Sequence, residues 1–272
     1  MRYNRRYRRL NEYNRFLDIL DDDDNMSFSD IIRGKYKHFP KDNKELKTIV
    51  NELFADKVNN LNIIDVSKIT DFTSVFEKKD MTDIDIRFWD VSGGEKFNNM
   101  FYSAKNLNCD LSLWNVSNAK SFECMFFNCR DFNGDISDWD VSRCENFSFM
   151  FANCQQFNCD LSRWDVSSAR SFRSMFNYCI SFTSDLSRWD VSSCLVFSNM
   201  FTKCRKFNSD LSEWKINPKT KTLEKMFLEC TSLDSDFSEW EINNNMDIFH
   251  MFGECNLITQ KKLPKFISKY YR

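Results

Sequence analysis

FNGDISDWDVSRCENFSFMFANCQQ, residues 132–156, is one copy of a unit that recurs along most of the 272-residue chain. The seven tryptophans mark the repeat, because each follows the previous one at a constant spacing until the last pair, which stands one residue further apart. They are Trp89, Trp114, Trp139, Trp164, Trp189, Trp214 and Trp240. A fixed period of about 25 residues predicts a stack of similar units that bury their apolar side chains against one another.

Two apolar spacings alternate within each unit. The segment D-L-S-x-W-D-V-S places Leu, Trp and Val three and two residues apart, which is typical of a short extended stretch. The segment F-x-x-M-F-x-x-C-x-x-F has spacings of three and four residues, which favour a turn or two of helix. A degenerate first copy begins at Ile64. We therefore predict an α/β solenoid of about eight strand-turn-helix coils with helical caps.

The combined string W-D-V-S-x-x-x-x-F-x-x-M-F-x-x-C-x-x-F-N-x-D-L-S resembles the repeat of the BspA-like leucine-rich-repeat surface proteins, which occur in bacteria, protists and giant viruses. The resemblance covers residues 64–258. It implies a leucine-rich-repeat-like stack with an adhesion or interaction role and without enzymatic activity. A giant-virus origin would make the chain a virion or assembly component. Bacterial members of that family are typically exported, and this chain departs from them because it shows no export signal.

Three segments flank the repeats. Residues 36–63 include FPKDNKELKTIVNELF and predict an N-terminal capping helix, and residues 259–272 predict a C-terminal capping helix. Residues 1–35 are an arm that is basic at its start and acidic further on, with apolar residues at helical spacing. We expect this arm to form an amphipathic helix, which either covers the first coil or docks onto another molecule.

The cysteines indicate an intracellular, reducing compartment. Their number is odd, 11, and six of them occupy one repeat position that Ala104 fills in an earlier unit. Because alanine and cysteine are both small and often buried, we expect a core column of free thiols. Stacked cysteines do not give the convergent geometry of disulfides, and no C-x-x-C pair suggests zinc. The sequence therefore predicts a protein of the cytoplasm, or of a virion if viral, and not a secreted one. The six cysteines are Cys129, Cys154, Cys179, Cys204, Cys230 and Cys255.

An aspartate stands four residues before each tryptophan, as in Asp135 and Asp160. Such a column could hold calcium between coils, but calcium-binding repeats use glycine-rich loops and this chain has only five glycines. Asx-type turns, in which the carboxylate accepts a nearby backbone N–H, are therefore the favoured interpretation. Serines that follow the valine, such as Ser142, are predicted N-caps of the helical block.

No residue pattern predicts catalysis, a cofactor or a metal site. An active site is usually a single constellation, whereas the Ser, Cys and Asp of this chain recur in every unit. The sequence also contains no glycine-rich phosphate loop. We therefore predict that the protein is not an enzyme.

Two sets of residues are candidates for contact with a partner. The arm sequence RYNRRYRR combines arginine, which binds phosphates, with tyrosine, which stacks on bases. The positions just before the tryptophans change from apolar through basic to acidic, which suits a protein partner, although ordinary solvated positions would show the same variation. The candidates are Arg2, Tyr3, Arg5, Arg6, Tyr7, Arg8 and Arg9 in the arm, and Phe88, Leu113, Arg163 and Arg188 in the repeats.

The sequence thus predicts a non-enzymatic protein-interaction or structural scaffold that binds a protein partner through its repeats. The alternative is a nucleic-acid-associated protein that uses the Arg/Tyr arm, and a cell-surface adhesin is the third interpretation. A formal net charge of -2 and the lack of a basic stripe on the repeats argue against nucleic acid as the main ligand. No run of about 20 apolar residues predicts a membrane span.

Overall fold

A computed structural model describes residues 36–268 of the chain. The arm at residues 1–35, with its seven candidate contact residues, lies outside the described residues, and so do residues 269–272. Helix α1 spans Asn43–Ala55 and begins at the N-cap Asp42, whose carboxylate accepts the Glu45 N–H at 2.9 Å. Its apolar side chains Leu46, Val50 and Leu53 are buried at helical spacing.

The C-terminal end of the described chain is also helical, but briefly so. A 3-10 helix spans Gln260–Lys262, and helix α2 spans Lys265–Ser268. The Lys262 carbonyl accepts the Phe237 N–H at 2.8 Å, which joins this segment to the last repeat. Leu263 and Ile267 are buried there.

The predicted fold class is wrong. Between residues 64 and 258 the structure has neither a strand longer than an isolated bridge nor a helix, so it is not an α/β solenoid of strand-turn-helix coils. Each coil is a succession of turns in which a backbone N–H donates to the carbonyl three residues earlier. Successive turns place apolar residues three and four apart as a helix does, which is why the spacing was misleading. In residues 132–156 these bonds join Trp139 to Ile136, Cys144 to Val141, Met150 to Phe147 and Cys154 to Phe151.

The coils are stacked in register along the sequence. Parallel bridges join each coil to the next, and in the described chain seven of them connect eight residues into a ladder. The ladder runs through Asp71, Lys96, Ser121, Asn146, Ser171, Val196, Thr222 and Asp247. The step from Val196 to Thr222 is one residue longer than the others, so it absorbs the slip in the tryptophan spacing.

The Met-Phe segment of each coil carries most of the backbone hydrogen bonds between coils. In the coil of residues 132–156, the N–H groups of four alternate residues donate to carbonyls of the next coil at 2.7–3.0 Å. The donors are Phe147, Phe149, Phe151 and Asn153, and the acceptors are Ser171, Arg173, Met175 and Asn177. These N–H groups all point toward the C-terminal end of the stack. In the Met-Phe segments, each coil therefore donates its N–H groups to the following coil and accepts from the preceding one.

Two residues in each Met-Phe segment have a positive φ, although neither is glycine. In one coil they are Phe149, with φ 59°, and Asn153, with φ 63°. A positive φ at the third position of a hydrogen-bonded turn is the signature of a type II turn, which glycine usually fills. Non-glycine residues there cost about 1 kcal/mol each, which the contacts between coils must offset.

Aromatic columns fill the core. Trp164 stacks on Trp189 with ring centroids 6.5 Å apart and planes 3° apart, and Phe151 stacks on Phe176 at 5.7 Å. The indole N–H of every tryptophan donates to a carbonyl of the preceding coil at 2.9–3.1 Å. The same side chains therefore fill space and satisfy backbone carbonyls.

Candidate interaction surfaces

A groove of about 1290 Å³ follows the tryptophan side of the central coils. Acidic residues that precede the tryptophans, such as Asp135 and Asp160, line it together with acidic residues that follow them, such as Asp140 and Asp165. The buried Trp139 also contributes to its wall. The groove is therefore polar and anionic, with an aromatic element.

The aspartates of this groove form Asx turns, as predicted. The Asp160 carboxylate accepts the Ser162 N–H at 3.0 Å, and the same bond recurs in neighbouring coils. Asp140 forms a second such turn, in which it accepts the Ser142 N–H at 3.1 Å and the Ser142 hydroxyl at 2.7 Å. The predicted N-cap role of Ser142 is wrong, because no helix follows it.

The turn hydrogen bonds lower the pKa of four aspartates in the C-terminal half of this column. The side-chain and backbone hydrogen bonds from Ser162 lower the pKa of Asp160, and those from Ser187 lower the pKa of Asp185. Asp210 and Asp236 have lowered pKa values for the same reason. In residues 36–268 no three His, Cys, Asp or Glu side chains come together in a way that could hold a metal ion.

The repeat candidates Phe88, Leu113, Arg163 and Arg188 lie one per coil in a row just before the tryptophans. Phe88 and Leu113 are half-buried, and the Phe88 N–H donates to Asn62 at 2.9 Å. Both arginines are exposed, and Arg163 Nη2 lies 2.8 Å from Asp138 Oδ1 of the preceding coil. The row therefore combines half-buried apolar residues with exposed basic ones, and it does not form one apolar patch.

A second surface runs beside the Met-Phe turns. Lys203 Nζ lies 4.5 Å from the centroid of the Tyr178 ring and 2.6 Å from its hydroxyl, and the Arg173 guanidinium lies 5.4 Å from the centroid of Phe149. Each pair joins neighbouring coils. The signal in the sequence was a basic residue about one period after an aromatic one. We call this surface the Met-Phe rim, and it consists of Tyr102, Phe127, Phe149, Arg173, Tyr178 and Lys203.

Rings also stack along the Met-Phe rim. Tyr102 lies on Phe127 with centroids 4.8 Å apart, and Phe127 meets Phe149 edge-on at 6.3 Å. Tyr178 is 40% exposed. The rim thus presents aromatic and basic side chains that their neighbours in the stack already hold in place.

The predicted column of buried free thiols is confirmed. All six cysteines are buried, and each S–H donates to a phenylalanine carbonyl of the preceding coil at 2.8–3.0 Å. Burial raises the pKa of Cys129 to about 12 and that of Cys154 well above its usual value. These thiols stay protonated at neutral pH, so they are poor nucleophiles.

The family model described as "Mycoplasma protein of unknown function, DUF285" matches the chain twice, over residues 44–164 and 145–266. The chain belongs to this family. The two DUF285 matches together cover the repeats and most of helix α1. No curated protein and no solved structure matches the chain. None of the helices between residues 36 and 268 combines the length and apolarity that crossing a bilayer requires.

Proposed function

We propose that the chain is a non-enzymatic scaffold that binds a protein partner through the Met-Phe rim. The observation that carries the proposal is the set of cation–aromatic pairs, Arg173 with Phe149 and Lys203 with Tyr178. Tyrosine and arginine are enriched among the residues that contribute most to protein–protein binding. Because neighbouring coils already order these side chains, a partner would lose less conformational entropy on binding them.

Two features support a binding role without catalysis. The buried thiols are protonated at neutral pH, and the aspartates of the groove are engaged in turns that recur from coil to coil. A catalytic group needs a base, an orienting partner and access to a substrate. The proposal keeps the protein in a reducing compartment, the cytoplasm or a virion, because the core depends on free thiols.

The test compares partners of the full-length protein, of a variant with Arg173→Glu and Tyr178→Ala, and of a charge-matched control with Arg143→Glu. Arg143 is exposed and bonds to Asn118 on another corner of the coil. Tagged proteins are recovered from native lysate with and without nuclease, and bound proteins are quantified by mass spectrometry. We expect a nuclease-resistant partner that is lost only with the rim variant. Equal recovery by all three proteins would refute the rim as the binding surface.

The arm supports a second proposal, that the protein associates with nucleic acid. Its sequence RYNRRYRR, at residues 2–9, offers five arginines and two tyrosines. Deletion of residues 1–24 would then abolish nuclease-sensitive binding, and this binding would fall steeply with salt. Kinship with BspA-like surface proteins and a role in adhesion remain proposals that demonstrated export would favour.

A further inference from the structure

The two ends of the ladder differ. At the N-terminal end, helix α1 covers the first coil. The side-chain amide of Asn43 donates to the Asp71 carbonyl at 3.1 Å and to the Thr73 carbonyl at 3.0 Å. These are two of the four carbonyls that an earlier coil would otherwise engage, so α1 covers half of this acceptor row.

The C-terminal edge is open in the described chain. In the coil before it, the N–H groups of Leu223, Lys225, Phe227 and Glu229 donate to the last coil at 2.7–2.9 Å. The equivalent N–H groups of the last coil have no hydrogen-bond partner within residues 36–268. These are the N–H groups of Ile248, His250, Phe252 and Glu254. The 3-10 helix that follows bonds elsewhere, to Phe237 and Asp234.

The side chain beside this open edge is also unusual for its column. Phe249 is 58% exposed, the largest exposed fraction among the large apolar side chains of the described residues. The equivalent position in every earlier coil holds a polar residue. Those residues are Thr73, Asn98, Glu123, Ser148, Arg173, Ser198 and Glu224. A large apolar side chain therefore appears only at the rung where the ladder ends.

We propose that this edge, from Ile248 to Glu254, is a docking site for a peptide segment of a protein partner. The segment would supply main-chain carbonyls to the four free N–H groups and an apolar side chain to Phe249. Peptide addition to an exposed backbone edge derives affinity from main-chain hydrogen bonds and specificity from side-chain contacts. This site lies outside the Met-Phe rim, so it goes beyond the function proposed above and does not depend on it.

Hydrogen-bond polarity excludes a simple alternative occupant, a second copy docked edge to edge. Two such edges would face each other with N–H groups only, and donors cannot pair with donors. A head-to-tail copy would bring carbonyls of the right kind, but Asn43 already occupies two of them. A peptide that presents a row of carbonyls satisfies the edge without displacing α1.

The experiment uses the full-length protein and a synthetic peptide of residues 195–206, LVFSNMFTKCRK, in which Ser198 is replaced by Phe so that an apolar ring lies at the position equivalent to Phe249. Within the stack, the carbonyls of Val196, Ser198, Met200 and Thr202 in this segment accept four N–H groups of the preceding coil. The peptide therefore carries the acceptor row that the open edge lacks. The readout is the shift and the solvent exchange of individual amides in 15N-labelled protein, under reducing conditions.

We expect saturable shifts and slowed exchange at residues 248, 250, 252 and 254, with affinity reduced about tenfold by Phe249→Lys. Phe39→Lys is the matched control, since Phe39 is 55% exposed at the opposite end of the stack. Tyr178→Ala should leave peptide binding intact, which separates this site from the Met-Phe rim.

Three results would overturn the proposal. The first is an absence of shifts at these amides. The second is slow exchange in the dilute free protein, which would mean that the chain itself covers the edge. The third is protection that rises with protein concentration and not with peptide, which would assign the edge to a second copy.

Discussion

Single side chains in this stack both fill the core and donate hydrogen bonds to backbone carbonyls. The Trp164 indole fills the core and donates to the Ile136 carbonyl, and the Cys129 thiol is buried and donates to the Phe101 carbonyl. Each of these acceptors belongs to the preceding coil. A residue in such a column must therefore have a side chain of the right volume that also carries a hydrogen-bond donor. This double requirement explains why Trp and Cys recur at fixed positions.

The thiols lead to a prediction about pH. Because burial raises the pKa of Cys129 from 9.0 to about 12, the unfolded state releases this proton at lower pH than the folded state. The stabilisation from protonated Cys129 is thus complete below about pH 9 and is lost as the pH rises toward 12, by up to about 1.4 kcal/mol per pH unit.

Cys129→Ala should therefore give a free energy of unfolding that falls less steeply than that of the natural protein between pH 9 and 10.5. Alanine is compatible with the column, because Ala104 fills the same position one coil earlier. Urea titrations with reductant at several pH values measure the slope. Parallel slopes for the two proteins would show that Cys129 is not protected from ionisation in the fold.

At the scale of the element, the turn replaces both the strand and the helix. The sequence correctly predicted the repeat length, the buried thiol column and the Asx turns, since these depend on residue type and spacing. It could not predict the backbone path, because apolar spacings of three and four suit a helix and a chain of turns equally well. Positive φ at Phe149 and Cys124 also left no signal, since bulky residues and cysteine do not favour it.

The positive φ values predict that a glycine variant will be more stable than an alanine variant at these positions, which reverses the usual order. Lys78 has a φ of 58° and lies largely exposed beside Glu77. Lys78→Gly should be more stable than Lys78→Ala by about 1 kcal/mol, because glycine adopts this conformation without steric cost. Thermal unfolding of both variants measures the difference. Lys96, an exposed bridge residue without a positive φ, is the control, and there the alanine variant should be the more stable.

Helix α1 carries a second prediction at this scale. Asn43→Ala removes both hydrogen bonds to the Asp71 and Thr73 carbonyls, and it should lower the free energy of unfolding by about 1–3 kcal/mol. Lys44→Ala, at the next and exposed position of the same helix, should change it little. Equal effects of the two substitutions in urea titrations would mean that the hydrogen bonds of Asn43 do not stabilise the N-terminal edge.

At the scale of the whole molecule, register decides stability. Deletion of residues 157–181 removes one full period and joins Gln156 to Phe182, which occupies the same place as Phe157. We expect cooperative unfolding with a smaller denaturant dependence and a lower midpoint, since each coil contacts only its neighbours.

Deletion of residues 157–176 is the control, because it removes less than one period and puts Trp189 out of register with Trp139. This variant should lose its cooperative transition, as followed by tryptophan fluorescence. Similar unfolding of both deletion variants would contradict the dependence on register.

The surfaces of the molecule were the least predictable feature. The row from Phe88 to Arg188 was recognised because it varies, but the structure places Arg163 in an ion pair with Asp138. The Met-Phe rim and the open edge depend on which residues of neighbouring coils meet, and on which backbone groups remain free at the last coil. Those relations appear only when the path of the chain through its turns is known.

The hydrogen bonds between coils also determine how the molecule would respond to mechanical force. Hydrogen bonds such as those of Phe147 and Phe149 run from one coil to the next, so tension applied to the two ends loads them one coil after another. Each coil that detaches would release one period of the chain, which is about 85 Å long when fully extended. Stretched between two attachment points, the protein would lengthen in equal steps, each step corresponding to the detachment of one coil.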